Sequence, residues 1–445
     1  MKKILLLSLL YISVSFGFAQ QVAPNNIAGK AMRNWLKENW YDGKYTLLGY
    51  NYAREQMYND IDNVDNKITC VYAGYTVDFI PQSSPISPVF DLGISCEHTV
   101  PQSFFNEAEP MRSDIHHLFP TYNPWNIERS NHPFAEIPDN TTTKWMLNTT
   151  SSSSIPSSNI DAYAESDGNR FEPREINKGN TARAIFYFYT IYTADAIRPI
   201  ANIGDINTLL TWHQTDVPDN LEKNRNNRIQ YYQGNRNFYV DYPEWLSYAW
   251  GFSSPTGKPI LEFTRGFKNI ASTNAANNTF SYEVEISPAP ASTENIAVIV
   301  LETELDPSYF SVSNNTLTFN AGTSILKFDV SFNSTLPVGP TYHIKFGLAG
   351  ASANVDAGHY SQFILRLDGV NSVDENEALR YLFYNNVLTL EDYKYSSYTV
   401  SDNIGRTVAT GQFRNTIDLN HLDGGMYFIQ VFSATSKNTI RIIKQ

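Results

Sequence analysis

The sequence predicts an α+β domain, then a β-sandwich-like domain, then a small C-terminal β domain. Three observations carry this. Up to about residue 260, runs with apolar residues at helical spacing mix with extended ones; from 261 to 372 apolar residues alternate with polar ones; the last 70 or so residues repeat short β runs between turn formers. A chain of 445 residues is too long for one ordinary core, and 28 Tyr, 26 Phe and 7 Trp supply apolar surface for several.

The N-terminus reads as a secretory signal peptide, residues 1–19. Lys2-Lys3 precede an apolar run from Ile4 to Phe18, and Gly17-Phe18-Ala19 puts small residues at the −3 and −1 positions of a cut after Ala19. A membrane anchor needs about 20 apolar residues; this run is shorter and interrupted, and no later stretch would span a bilayer. Two cysteines occur, Cys70 and Cys96. Export allows them to form one disulfide, and two buried free thiols near one strand is the other reading.

In the first domain, 22–260, Met32, Trp35, Leu36 and Trp40 lie at helical spacing. Ala182, Ile185, Phe186, Tyr189 and Thr193 do so again after a Gly179-Asn180 start signal. Both stripes are read as core. Asn148 to Asn159, rich in Ser, Thr and Asn, is read as a surface loop. The second domain, 261–372, carries Val284/Ile286, Leu317/Phe319, Leu326/Phe328/Val330 and Tyr342/Ile344/Phe346 on alternating strands. Turns at 313–315, 320–322 and 337–340 separate them, the signature of an antiparallel β-sandwich. It shows no catalytic constellation and is read as a spacer or binding module. In the third, 373–445, Val387 to Leu390 and Tyr398 to Val400 are strand-like, with turns at 402–406 and 423–425.

The net charge of −12 argues against a nucleic-acid partner on global grounds. Binding a polyanion needs only a locally positive cleft, and a bound dication can supply part of that charge. Lys223, Arg225, Arg228 and Arg236 form a basic patch in an otherwise acidic chain. Arg225, Arg228 and Arg236 are therefore candidate phosphate contacts, against the plainer reading of a solvated helix face.

Chemistry concentrates between positions 91 and 136, where four of the eight histidines fall. Cys96-Glu97-His98-Thr99-Val100-Pro101-Gln102-Ser103 is followed by Asp114-Ile115-His116-His117-Leu118-Phe119-Pro120, then by Asn126-Ile127-Glu128-Arg129-Ser130-Asn131. A zinc hydrolase would favour His-Glu-x-x-His on one helix, and that motif is absent. Adjacent Glu97 and His98 on an extended segment point to opposite faces. Phosphodiester hydrolysis fits better. It needs a base for water, a hard cation on the phosphate, and positive charge for the transition state. Glu and Asn oxygens suit Mg²⁺, and a neutral imidazole suits the base.

These runs strongly resemble the bacterial endonuclease I family, whose site is the ββα-metal, or His-Me finger, type. The resemblance continues through Glu172-Pro173-Arg174, Lys178-Gly179-Asn180-Thr181-Ala182-Arg183-Ala184, Phe186 to Tyr189, Trp212, Arg228-Ile229-Gln230 and Gln233-Gly234-Asn235-Arg236-Asn237, covering most of 30–250. It implies a secreted endonuclease acting on DNA, RNA or both, without sequence preference and leaving 5′-phosphates. His98 would be the general base. Glu97 and Asn126 would bind one divalent ion, Mg²⁺ (or Mn²⁺ or Ca²⁺). Arg129 would contact phosphate or hold its own loop, and both readings stand. Asp114, His116, His117, Ser130 and Asn131 are read as orienting or structural. Cys96 stands where family members often carry Arg, and the chain is acidic, which bears on affinity and salt dependence. A metal phosphodiesterase of small esters and an inactive secreted surface-binding protein are the alternatives; an intact Glu97, His98 and Asn126 speaks against the second.

The end of the chain is similar to the C-terminal sorting domain of type IX secretion cargo. The similarity rests on the Gly405-Arg406 turn, the strand Gly425-Met426-Tyr427-Phe428-Ile429-Gln430-Val431 and the basic finish Arg441-Ile442-Ile443-Lys444-Gln445. It implies Sec export to the periplasm, then outer-membrane translocation by the type IX machinery to the cell surface or medium.

Overall fold

A computed structural model of the chain describes residues 21–333, 336, 341–368, 381–384, 386–390, 395–402, 405–413, 416–433 and 437–444. The signal-peptide segment, the turn at 337–340 and the 403–404 part of another turn lie outside these.

The apolar spacing near the start produces α1, Gly29–Leu36, which buries Ala31, Met32, Trp35 and Leu36. A wider-wound turn, Lys37–Tyr41, continues it and buries Trp40 and Tyr41. A second short helix, α2, spans Tyr50–Gln56. The antiparallel pair β1, Ile94–His98, and β2, Leu118–Tyr122, sets Glu97 opposite Phe119 and His98 opposite Leu118. The helix α3, Asn123–Arg129, follows β2 directly. Because side chains alternate across a strand, this pair separates two cores. Phe119 packs into a large cluster with Trp125, Phe134, Phe171 and Trp212. Leu118 packs into a smaller one with Met57, Tyr58, Cys70, Ile94 and Ile115.

The second periodic stripe becomes α4, Lys178–Ile191, which is buried along nearly its whole length. The one-sided reading from sequence was too narrow: Arg183, Tyr187 and Phe188 are also buried, because later elements cover the other faces. Among those are α5, Ile206–Thr215, and α6, Asn220–Gln233. Thr193 falls beyond the end of α4. The 148–159 segment is largely exposed as expected, with a short strand, Thr150–Ser152, paired to Trp145–Leu147.

The 261–368 region forms two five-stranded sheets. One orders its strands Phe310–Ser313, Ile325–Phe332, Thr279–Ser287, Ile260–Phe263 and Asp356–Ala357; the other Phe267–Ala271, Gln362–Asp368, Tyr342–Ala349, Glu294–Thr303 and Thr316–Phe319. Their inner faces share a core that includes Val284, Ile286, Phe328, Phe346 and Phe363. The antiparallel expectation is corrected at one edge of each sheet. Ile260–Phe263 pairs in parallel with Asp356–Ala357, and Phe267–Ala271 with Gln362–Asp368. About 90 intervening residues, folded as the other strands, supply the crossover that parallel pairing requires. The C-terminal strands make a three- and a four-stranded sheet around Leu388, Val400, Ile429, Val431 and Ile440.

The sandwich is joined to α1 by its carboxylates. We call Ile260–Phe263 β3 and Thr279–Ser287 β4. Glu285 of β4 accepts from the backbone N–H of Lys30 (2.7 Å) and Ala31 (3.1 Å), and Glu262 of β3 accepts from that of Ala28 (3.0 Å). The first turn of a helix has N–H groups without intrahelical partners, and here carboxylates more than 230 residues away meet them. Gly29 is required at the junction: its φ is +57°, and a Cβ there would overlap Glu285 Oε1.

Candidate active site

Glu97 and His98 stand at the end of β1 and are both buried. Glu97 faces the large core. Its Oε1 accepts from the Tyr72 hydroxyl at 2.5 Å and pairs with Arg129 Nη1 at 3.1 Å. Among the described residues no hydrogen bond falls on Oε2. Burial raises the Glu97 pKa above the ordinary carboxylate value, against the opposing pull of Arg129 and Tyr72.

His98 faces the other side, with its ring 5.3 Å from Tyr50, 5.4 Å from His117 and 6.2 Å from Phe105. Nε2 lies 3.1 Å from the main-chain oxygen of Arg112, which fixes Nε2 as the protonated nitrogen and leaves Nδ1 as the lone-pair site. Burial, and then the neighbouring His117, hold the pKa well below the ordinary histidine value, so the ring is neutral.

Asn126 lies on α3 and donates Nδ2 to Ser95 Oγ at 3.0 Å and to the Cys96 carbonyl at 3.4 Å. Those bonds orient the amide and leave Oδ1 as its available acceptor. A carboxylate with one engaged oxygen and an amide turned by its nitrogen each offer the kind of oxygen a hard divalent ion takes.

Arg129 is 1% exposed. It spans Glu97, the carbonyls of His98 (3.2 Å) and Thr99 (2.6 Å), and the ring of Phe134 (4.5 Å). A guanidinium so enclosed holds its loop and Glu97; it does not face solvent. Of the two readings open from sequence, this geometry supports the holding role. Ser130, at φ +50°, ends α3 with its N–H on the Asn126 carbonyl, and it and Asn131 are exposed.

Asp114, fully buried, is a hub. It accepts from His116 N (3.0 Å), Gln233 Nε2 (2.8 Å), Tyr187 OH (2.9 Å) and Tyr192 OH (2.7 Å). His116 reaches the Asn235 carbonyl and His117 the Met111 carbonyl. Burial lowers both imidazoles, His116 to about 4. These three brace the short segment between Arg112 and β2.

The basic patch is corrected as a set of free phosphate contacts. Arg225 donates two hydrogen bonds to Asp62 (2.7 and 3.0 Å), Arg236 two to Asp241 (2.6 Å each), and Arg228 pairs with Asp60 at 3.3 Å. Asp60 and Asp62 come from a segment more than 160 residues away that a linear scan does not connect with Arg225 and Arg228, whereas Asp241 lies five residues from Arg236. Lys223 is exposed. Both thiols are free although Cys70 and Cys96 border the same core, and burial pushes the Cys96 thiol up to about 12.

Glu136, Glu172 and Glu175 also converge. Lys178 already sits among them at 2.9, 2.7 and 2.5 Å, so their counter-ion is an ammonium. Sequence reasoning missed Tyr72, Tyr50, Arg54 and the Arg112 carbonyl beside Glu97 and His98. None lies in a motif of its own, and only Arg112, two residues before Asp114, had a nearby signal.

Residues 28–244 match the family model described as Endonuclease I, and residues 384–445 match the secretion system C-terminal sorting domain; the chain carries a domain of each family. It is 32% identical to the extracellular ribonuclease of Bacillus amyloliquefaciens and 31% identical to that of Bacillus subtilis (strain 168). Each match covers 33% of this chain and 49% of the relative, so the chain spans about half the length of the curated relatives it matches. Among solved structures, the apo-form Calx CBD1 domain aligns with 26% of this chain and 99% of its own at 12% identity and TM-score 0.22, too slight to say anything of fold or function. The chain is a secreted protein, and among the described residues no helix is long and apolar enough to cross a membrane.

Proposed function

We propose that this chain is a divalent-metal-dependent endonuclease. It hydrolyses phosphodiester bonds of DNA, RNA or both without sequence preference and leaves 5′-phosphate ends. In this reading β1, β2 and α3 form a His-Me finger site. The observation that carries it is the division of labour at the end of β1: Glu97 turns toward Arg129 and Tyr72, while His98 turns to the opposite side with one nitrogen tethered and the other available.

His98 is the general base. The Arg112 carbonyl keeps the proton on Nε2, so the Nδ1 lone pair takes the proton from the attacking water. Low-dielectric surroundings keep the ring neutral and ready at neutral pH. Glu97 and Asn126 would hold one Mg²⁺ (or Mn²⁺ or Ca²⁺), with Arg129 and Tyr72 fixing the carboxylate and Ser95 fixing the amide. When bound, such an ion supplies stabilisation for the charge on the phosphorane-like transition state and acidifies a water near the leaving 3′ oxygen. Backbone-directed chemistry of this kind carries no base information. The sorting domain serves export through the type IX machinery.

The test is metal-titrated cleavage of plasmid DNA and structured RNA by wild type and His98→Ala. The variant is expected to lose about 10²–10⁴-fold in rate, the usual worth of a general base. Full metal-dependent cleavage by His98→Ala would falsify the mechanism. End-labelling should find 5′-phosphates.

A further inference from the structure

If the predicted basic patch is neutralised, the phosphate backbone must be held by other cations, and two stand beside His98. Arg54, from α2, stacks over the Tyr50 ring at 4.2 Å, and Arg112 stacks over the same ring at 4.7 Å. That ring is 5.3 Å from the His98 imidazole, so each guanidinium carbon lies within about 10 Å of it. Spacing explains the first contact: Tyr50 and Arg54 are i and i+4 on α2, hence on one face. The main chain explains the second, because the Arg112 carbonyl is the group that tethers His98 Nε2.

These arginines differ from the structural ones. Arg129, Arg183, Arg225 and Arg236 each end on a carboxylate at 3.1 Å or closer. Arg54 has no carboxylate within ion-pair distance among the described residues, and its guanidinium donates to Asn51 Oδ1 at 2.7 Å. The carboxylate paired with Arg112 is Glu107, 3.9 Å away on a side chain that is 63% exposed. Each also keeps a buried Nε with no partner, a feature Arg129 shares, so the difference lies in the carboxylates. Two planar, half-exposed guanidiniums fixed by one aromatic ring suit phosphate oxygens, which they can meet with paired N–H donors.

We propose that Arg54 and Arg112, ordered by Tyr50, clamp backbone phosphates flanking the scissile one, so the site favours a polynucleotide strand over a small diester. This rests on the nuclease reading above. The two guanidiniums serve as binding groups and His98 remains the base. The clamp replaces the basic patch on α6 as the local positive surface of an acidic chain.

Binding without turnover tests it. Anisotropy of fluorescein-labelled DNA and RNA 12-mers, with no divalent ion added, would be followed from 50 to 200 mM salt for the mature chain and for Arg54→Ala, Arg112→Ala and both lysine variants. Each alanine variant is expected to bind about tenfold more weakly and to lower the log–log salt slope by about one, as losing one phosphate contact does. Lysine should restore the slope. Hydrolysis of bis-nitrophenyl phosphate, which offers no flanking phosphate, should lose less in kcat/KM than cleavage of the 12-mers does. Wild-type affinity and slope in both alanine variants would overturn the clamp. So would an equal loss on the small diester, which would mean that the arginines act only through His98. A wild type that binds through this pair but cuts nothing would instead sink the nuclease reading, leaving the clamp standing.

Discussion

At the level of single residues, the site is defined by which charges are already spent. Arg129 illustrates it: sequence left it between phosphate contact and brace, and burial together with its contacts to Glu97, His98 and Thr99 supports the brace. Breaking a buried pair strands the remaining charge, which costs about 3–5 kcal/mol. Arg129→Ala is therefore expected to lower the unfolding free energy from urea denaturation by that much, and a loss of cleavage with unchanged stability would reject the role. Tyr72→Phe makes a finer test. It deletes only the 2.5 Å bond to Glu97, with an expected loss of about 1.5–3 kcal/mol, typical for a hydrogen bond to a charged group, and weaker apparent metal affinity in the cleavage titration. Glu97, His98 and Asn126 were legible because their chemistry comes as contiguous motifs. Tyr72 and Tyr50 were not, since what recruits them is proximity across 25 and 48 residues of chain.

For elements, the helical stripes and the alternating strands were readable because each records which face is buried. The capping of α1 was not. Its own N-cap, Ala28, offers no side-chain acceptor, and the acceptors are Glu262 and Glu285 on strands of the sandwich. A sequence window sees a helix with a poor start. Glu285→Ala should cost at least the about 0.5–2 kcal/mol typical of a lost cap, measured by urea denaturation. Glu262 adds a pH signature. Burial raises its pKa from the ordinary 4.5 to about 8, overcoming its backbone donors Ala28 and Tyr360. A folded-state pKa above the unfolded one means the folded chain holds the proton more tightly. The contribution is thus full below pH 4.5 and lost as pH rises through 8. Relative to wild type, Glu262→Gln should gain up to about 1.4 kcal/mol per pH unit across that window and then level off. Parallel stability curves for the two proteins from pH 4 to 9 would reject it.

Across the whole molecule, the order of units was readable from changes in apolar period, whereas the parallel edge pairs and the glutamate junction needed contacts over more than 90 residues. The same contacts decide which parts answer for which task. Glu97, His98, Asn126 and the residues that hold them lie in and between the first two cores, and the sandwich is bonded to that unit through α1. The C-terminal sheets have a core of their own, to which no residue of the site contributes. Activity and export should therefore separate. Deleting 384–445, the sorting domain, is expected to leave metal-dependent cleavage by the purified protein at the wild-type level while the truncated chain accumulates in the periplasm. Fractionation of medium, surface and periplasm, with cleavage assayed in each, reads both halves at once. Equal amounts of truncated and full-length protein outside the cell would remove the tail from the export route. Loss of cleavage by a stably folded truncation would show that the tail supports the site, against the independence of its core.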